Sequence, residues 1–198
     1  CSSDLFNTSV GYNSLFNHKR TGFSYNTGIG SSALEQDSSG FQNTGVGTSA
    51  FRNNKTGFYN TGVGINSGYH QKESYNTFTG AYSGFGDRSP FSNYAADTGN
   101  YNAGLGAFVM YRIANGSNNV AMGYSALYSD SSGNLNTAIG NGALYSNTGS
   151  HANQAFGWNA LYSYNHTTNG YNNAFGDLAA ENLQTGTQNV VMGSWAMR

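Results

Sequence analysis

Charge is what this sequence has least of. Asp, Glu, Lys and Arg together make up 9% of 198 residues, and the formal net charge is −1, where ordinary globular domains run at about 25% charged. The eight basic residues stand singly apart from Lys19-Arg20, so there is no basic stripe to follow a phosphate backbone, and no nucleic-acid partner is expected. Proline occurs once, at position 90, and cysteine once, as Cys1, which excludes an internal disulfide. No apolar run reaches the roughly 20 residues that a membrane-spanning helix needs. Four histidines, His18, His70, His151 and His166, fall at unrelated positions, without the spacing of a metal site. Neither a Gly-x-Ser-x-Gly nucleophile turn nor the Gly/Asp calcium repeat is present. Gly28-Ile29-Gly30-Ser31-Ser32-Ala33 matches a dinucleotide fingerprint only on paper, because no helix is expected to follow it. No catalytic residue, cofactor or metal is expected.

What fills the space is Gly, Asn, Ser, Thr and aromatic residues, arranged with a period. A five-residue pattern opens at Asn7, Asn26, Asn43, Asn60, Asn76, Asn102, Asn119, Asn136, Asn153, Asn172 and Asn189, and each copy has Gly four places on. The intervals are 19, 17, 17, 16, 26, 17, 17, 17, 19 and 17 residues. A fixed period near 17 is the mark of stacked repeats, and 15% aromatic residues argue against disorder. The expected fold is an all-β solenoid, a β-roll of about eleven short coils forming one unit over residues 1–198. At about 4.8 Å per coil it makes a rod on the order of 50 Å long. The 26-residue copy is expected to leave the stack as a lateral loop at about 84–98.

Within a copy, the fourth residue is apolar in ten of eleven cases (Val10, Ile29, Val46 and onward), and a small-then-apolar pair such as Ala33-Leu34 or Ala143-Leu144 follows. Two short strands per coil are expected from these two segments. If the second and fourth residues point inward, the first, third and fifth point out. That reading makes Asn26, Gly28, Gly30, Asn43, Gly45, Gly47, Asn119, Gly123, Asn136 and Gly140 an outward face almost without side chains, suited to close packing against another copy. The Asn row is expected to form side-chain ladders along the rod.

Two further rows run along the axis. Nine residues past the Asn stand Phe16, Tyr69, Phe85, Tyr111, Tyr128, Tyr145 and Tyr162. Such a row is either a seam between subunits or a sugar-stacking surface. In the second case Tyr111, Tyr128, Tyr145 and Tyr162, with Arg88, Phe91 and Tyr94 of the inserted loop, are the candidate glycan-binding residues. Thr8, Thr27, Thr44, Thr61 and Thr77 form the other row, which leaves an ice-binding solenoid as a minor alternative. Cys1-Ser2-Ser3-Asp4 has the form of a lipoprotein start, with Cys1 as a candidate lipid anchor. The residues before Asn7 and those from Asn189 onward together make one coil, so a head-to-tail filament is a further expectation.

Copies such as Asn136-Thr137-Ala138-Ile139-Gly140-Asn141-Gly142-Ala143-Leu144-Tyr145-Ser146-Asn147-Thr148-Gly149 resemble the NTAIG-type repeats of phage-type tail-fibre proteins and large bacterial surface proteins. More distantly, they are similar to the head repeats of trimeric autotransporter adhesins. The resemblance covers nearly the whole chain. It implies a β-roll that associates with copies of itself, as a trimer or a filament, in a fibre on a cell surface or virion. The 26-residue copy and the Val, Gln and Asn replacements of the motif Thr after Gly106 depart from it. The expected function is that of a non-enzymatic subunit of an extracellular fibre. The alternative is a receptor- or glycan-binding adhesin or tail-fibre segment.

Overall fold

The motif Asn is the residue that closes each coil. Its backbone N–H donates to the Oδ1 of the Asn one coil earlier, as from Asn43 to Asn26 at 2.9 Å and from Asn136 to Asn119 at 2.9 Å. Its own Nδ2 donates across the coil to a turn carbonyl fourteen residues on, as from Asn43 to Gly57 at 2.7 Å and from Asn119 to Gly133 at 2.8 Å. The first link is made from Asn7 through Asn189 without a gap. A buried amide is tolerated only when its donors and acceptor are occupied, and here they are.

The computed structural model describes residues 6–19, 23–86 and 99–198. Each Asn is followed by a three-residue strand: β1 (Thr8–Val10), β2 (Thr27–Ile29), β3 (Thr44–Val46), β4 (Thr61–Val63), β5 (Thr77–Thr79), β6 (Ala103–Leu105), β7 (Val120–Met122), β8 (Thr137–Ile139), β9 (Gln154–Phe156), β10 (Asn173–Phe175) and β11 (Val190–Met192). They form one parallel sheet in sequence order, each motif residue opposite its equivalent, Thr27 on Thr44 and Ile29 on Val46. No helix occurs among the described residues. The fold is a β-solenoid. The 26-residue interval does not disturb the stack, since Thr77 pairs with Ala103 and Thr79 with Leu105 in the same register. The inserted residues 87–98 lie outside the described residues.

Each strand stops at the motif Gly because the chain there adopts φ near +126°, as at Gly47, a region closed to residues with a Cβ. A Cβ on Gly47 would stand 2.6 Å from the carbonyl oxygen of Gly64 in the next coil. Beyond it comes a turn layer, where a second strand was expected. The reason is local geometry. Residues such as Ser32 and Leu34 are left-handed, at φ 56° and 51°. Their alternation with ordinary residues sends Ser32 N–H back to Tyr12 O at 2.7 Å and Leu34 N–H forward to Ala50 O at 2.9 Å. The turn wall is therefore hydrogen-bonded from coil to coil, although it is not a strand. A left-handed residue that is not Gly costs about 1–2 kcal/mol, offset by these bonds and by burial of Leu34, Leu127, Leu144 and Leu161.

The strand faces the opposite way from the sequence expectation. Asn26, Asn43, Asn119 and Asn136 are fully buried, and so are the third residues of their copies, Gly28 and Gly45 among them. The fourth residues face out: Val10 is 57% exposed and Leu105 47%. Gly30, Gly47, Gly123 and Gly140 abut the next coil's backbone, Gly123 with its virtual Cβ 2.6 Å from Gly140 O. None of these ten residues makes a bare outward face. The interior between sheet and turn layer is too narrow for a large side chain from each side. Where the turn layer supplies Leu or Phe, the strand supplies Gly or Ala: Leu34 packs over Gly45, and Phe51 over Gly62 and Gly68. Phe78 reverses the arrangement, a large strand residue facing Gly84. Filling the volume once per level is what close packing demands.

Candidate binding surfaces

Two walls carry exposed side chains in long register. The first is the outer face of the sheet. Its fourth-position column runs Val10, Ile29, Val46, Val63, Thr79, Leu105, Met122, Ile139, Phe156, Phe175 and Met192, beside a second-position column that begins with the Thr row. No charged residue occupies either column in any of the eleven strands. Phe156 and Phe175 stack at 4.9 Å with a 7° interplanar angle. At Ala103 the surface dips into an apolar hollow of about 250 Å³ bordered by Thr77, Leu105, Val120 and Met122. The Thr row is interrupted after Thr77 by Ala103 and Val120.

The second wall belongs to the turn layer. Tyr69, Phe85, Tyr111, Tyr128, Tyr145 and Tyr162 form a continuous stack, with centroids 5.3, 5.1, 5.1, 4.9 and 4.9 Å apart. Burial pushes the Tyr128 and Tyr145 phenols upward in pKa, reinforced by the neighbouring phenols. Elsewhere the same column holds ion pairs. Arg52 Nε donates to Glu35 Oε2 at 2.7 Å, Arg52 Nη1 donates to Tyr69 Oη at 2.9 Å, and Arg198 Nε donates to Glu181 Oε2 at 2.9 Å. The Arg52 guanidinium holds the Glu35 carboxyl below the usual carboxylate range. Rings and ion pairs thus substitute for one another at one site of the repeat, because both satisfy a neighbour placed one coil away.

Stacking uses up the faces of these rings, so Tyr111, Tyr128, Tyr145 and Tyr162 show mainly edges outward. The most exposed rings at this wall are Tyr124 and Trp158, 57% and 50% exposed, Tyr124 with Phe108 set against it nearly perpendicular at 5.8 Å. Tyr124 and Trp158 stand one on either side of Asn141, above a groove of about 390 Å³ whose floor is Gly142 and whose back is the tyrosine stack. Sequence reasoning missed both residues. Their column reads Ala107, Tyr124, Asn141, Trp158, Asp177, which has no periodic signal. It also missed a second stack at the corner before the strand: Tyr59 on Tyr75 at 5.3 Å, Tyr75 on Tyr101 at 4.9 Å, and Phe41 on Phe58 at 4.7 Å. Arg88, Phe91, Tyr94 and Cys1 lie outside the described residues.

Two carboxyl groups at the same place in the repeat, Asp37 and Asp130, are buried beneath this wall, and Asp37 closes its turn by accepting Gly40 N–H at 2.6 Å. Asp130 closes its turn by accepting Gly133 N–H at 2.6 Å, as Asn54 does for Gly57 and Asn147 for Ser150. Burial pushes its carboxyl up to about 7, against the opposing effect of hydrogen bonds from Gly133, Ser132, Asn136 and Asn147. It faces only amides and backbone, with no substrate-sized space, so it reads as a turn-closing residue. Among the described residues, no group of three or more metal-ligating side chains comes together.

Comparison with protein-family models, with curated protein sequences and with solved structures returns no match to this chain. The geometry itself defines the class: a β-solenoid repeat protein of about ten turns with a period near 17 residues. No helix among the described residues is long and apolar enough to cross a membrane.

Proposed function

We propose that this chain is a structural, non-enzymatic subunit of an extracellular fibre, on a cell surface or virion, and that it works by laying its sheet face against another copy of itself. The observation that carries this reading is the charge-free column from Val10 to Met192, apolar at every level but Thr79, on an exposed sheet face. At about 4.8 Å per coil and about 10 Å across a three-residue strand, the strip covers on the order of 500 Å², at the upper end of what a soluble monomer leaves bare. A partner that matches side chains repeating at the sheet spacing over the whole length is another solenoid of the same rise. The ridge of Phe156 and Phe175 and the hollow at Ala103 lie on this one face, so a second copy brings a ridge for each hollow. Interfaces of this kind are self-complementary. The composition supports an extracellular setting: one cysteine, few charges, and polarity carried by Asn, Ser, Thr and Gly.

Leu105→Glu and Met122→Glu each put a charge on the bare face without touching the core. Sedimentation velocity and negative-stain microscopy of the purified protein should show assemblies for the parent chain and monomers for the variants, with unchanged circular dichroism. A parent chain that stays monomeric at high concentration, or variants that assemble as before, would refute the reading.

A further inference from the structure

The groove between Tyr124 and Trp158 lies on the turn wall, away from the sheet face, and it arises from a local break in the repeat. The position that holds Ser125 and Asn159 in the flanking coils is Gly142 here, left-handed at φ 67°. A Cβ there would run into Asn159 Oδ1 and stand 3.3 Å from Tyr162 Cδ2. Side chains of the next level thus close over a floor that has none. One column over, short Asn141 separates two large rings. Since coils rise about 4.8 Å, Tyr124 and Trp158 stand roughly 10 Å apart along the rod, enough for one flat ring to lie between them. Trp158 is held at its backbone, where its N–H donates to Asp177 Oδ1 at 2.9 Å.

The chemistry of the lining is narrow. None of the residues lining the groove carries a charge; outside the lining, Asp177 accepts the Trp158 N–H and Arg112 acts on the Tyr128 phenol. Phosphates, sulfates and acidic sugars therefore find no counter-charge within the lining itself. The half-exposed rings of Tyr124 and Trp158 offer apolar stacking surface. Between them stand the Asn141 and Asn159 amides and the Ser125 hydroxyl, which donate and accept at short reach, backed by the phenol edges of Tyr128 and Tyr145. A ligand with C–H faces and a rim of hydroxyls fits both sets at once. The volume of about 390 Å³ lies within the range of small-ligand sites.

We propose that this groove binds a neutral oligosaccharide, with one pyranose ring seated between Tyr124 and Trp158 over Gly142. The site stands independently of the fibre reading, because it uses a different wall of the solenoid.

A glycan array, followed by fluorescence titration with the neutral oligosaccharides that score, tests it. Trp158 is one of two tryptophans, so Trp195→Phe leaves its emission as the reporter. The expected result is saturable change in Trp158 emission with at least one neutral oligosaccharide. Trp158→Ala and Tyr124→Ala should each weaken binding at least tenfold, read by calorimetry, while circular dichroism and melting stay unchanged. Asn141→Ala should weaken it by a smaller factor without altering assembly. The proposal is overturned by an array that is silent for neutral glycans, by binding confined to anionic glycans, or by binding that survives the Tyr124→Ala Trp158→Ala double variant. It is equally overturned if Trp158→Ala dissolves assemblies without any glycan binding, which would make the groove a subunit seam. Leu105→Glu monomers should bind the sugar as well as the parent, which separates failure here from failure of the fibre reading.

Discussion

The molecule carries two tyrosine stacks built by the same rule and placed at different corners of the coil. At the corner before the strand, Tyr59, Tyr75 and Tyr101 stack at the surface with Phe41 and Phe58 edge-on against them, Tyr75 remaining 43% exposed. On the turn wall, Tyr111, Tyr128, Tyr145 and Tyr162 stack at the same spacing, but sunk between the turn layer and the overhanging Tyr124 and Trp158. A row of rings one coil apart is therefore a consequence of stacking the repeat and does not by itself make a site. What turns the second row into the back of a groove is the irregular column beside it, where Gly142 removes a side chain and Tyr124 and Trp158 add two.

The largest test of this contrast lies under the turn wall. Asp130 is pushed up to about 7 from an ordinary value near 3.8, so folding takes up a proton between those values. The stability it confers is complete below pH 4 and is lost as pH rises through 7. Asp130→Asn copies Asn54 and Asn147, which close the same turn. Denaturant melts should show it stabilising the chain by up to about 4 kcal/mol at pH 8 and by almost nothing at pH 4; equal effects at both pH values would show that the carboxyl is not held neutral. Next comes Tyr145→Ala, which removes two stacking contacts from the sunken row. A loss of about 2 kcal/mol is expected by thermal melting, against about 1 kcal/mol or less for Tyr75→Ala, which also stacks on two rings but is more exposed and so gives up less burial. Equal losses would erase the distinction between the rows.

The smallest effect is expected at the exposed corner itself. Leu135 occupies the position of Tyr59, Tyr75 and Tyr101, is left-handed at φ 59° and is 61% exposed. Replacing it with Gly should stabilise the chain by about 0.5–1 kcal/mol, because the backbone strain goes and little burial is lost. The equivalent change at Leu127, also left-handed but fully buried, should destabilise it. Paired chemical melts of the two variants check the opposite signs.

Much of this structure could be read from the chain. Eleven Asn–Gly pairs set the period, the parallel in-register stack and the ladder, and the rings nine places on were legible as a row, although their stacking on one another was not. The facing of the strand went the other way. A three-residue strand alternates with period two, so shifting the phase by one exchanges inside and outside for every residue. Apolar Ile29 and Val46 looked like core and Gly28 and Gly45 like surface. The choice depends on what comes from the opposite layer, and there Leu34 and Phe51 already fill the space. The second expected strand failed for a related reason: Ala33-Leu34 has strand-like composition, but the left-handed backbone at Ser32 and Leu34 is decided by coil-to-coil hydrogen bonds that no local preference encodes.

By itself, then, the sequence determined that this protein is a stack, how many levels it has, and which residues meet their equivalents one level away, since a repeat of fixed length can satisfy its backbone groups only against itself. The tertiary structure alone decided which side of each level meets water, because the volume between sheet and turn layer admits only one large side chain per level. That same allocation left an apolar strip along the sheet and opened a groove over Gly142.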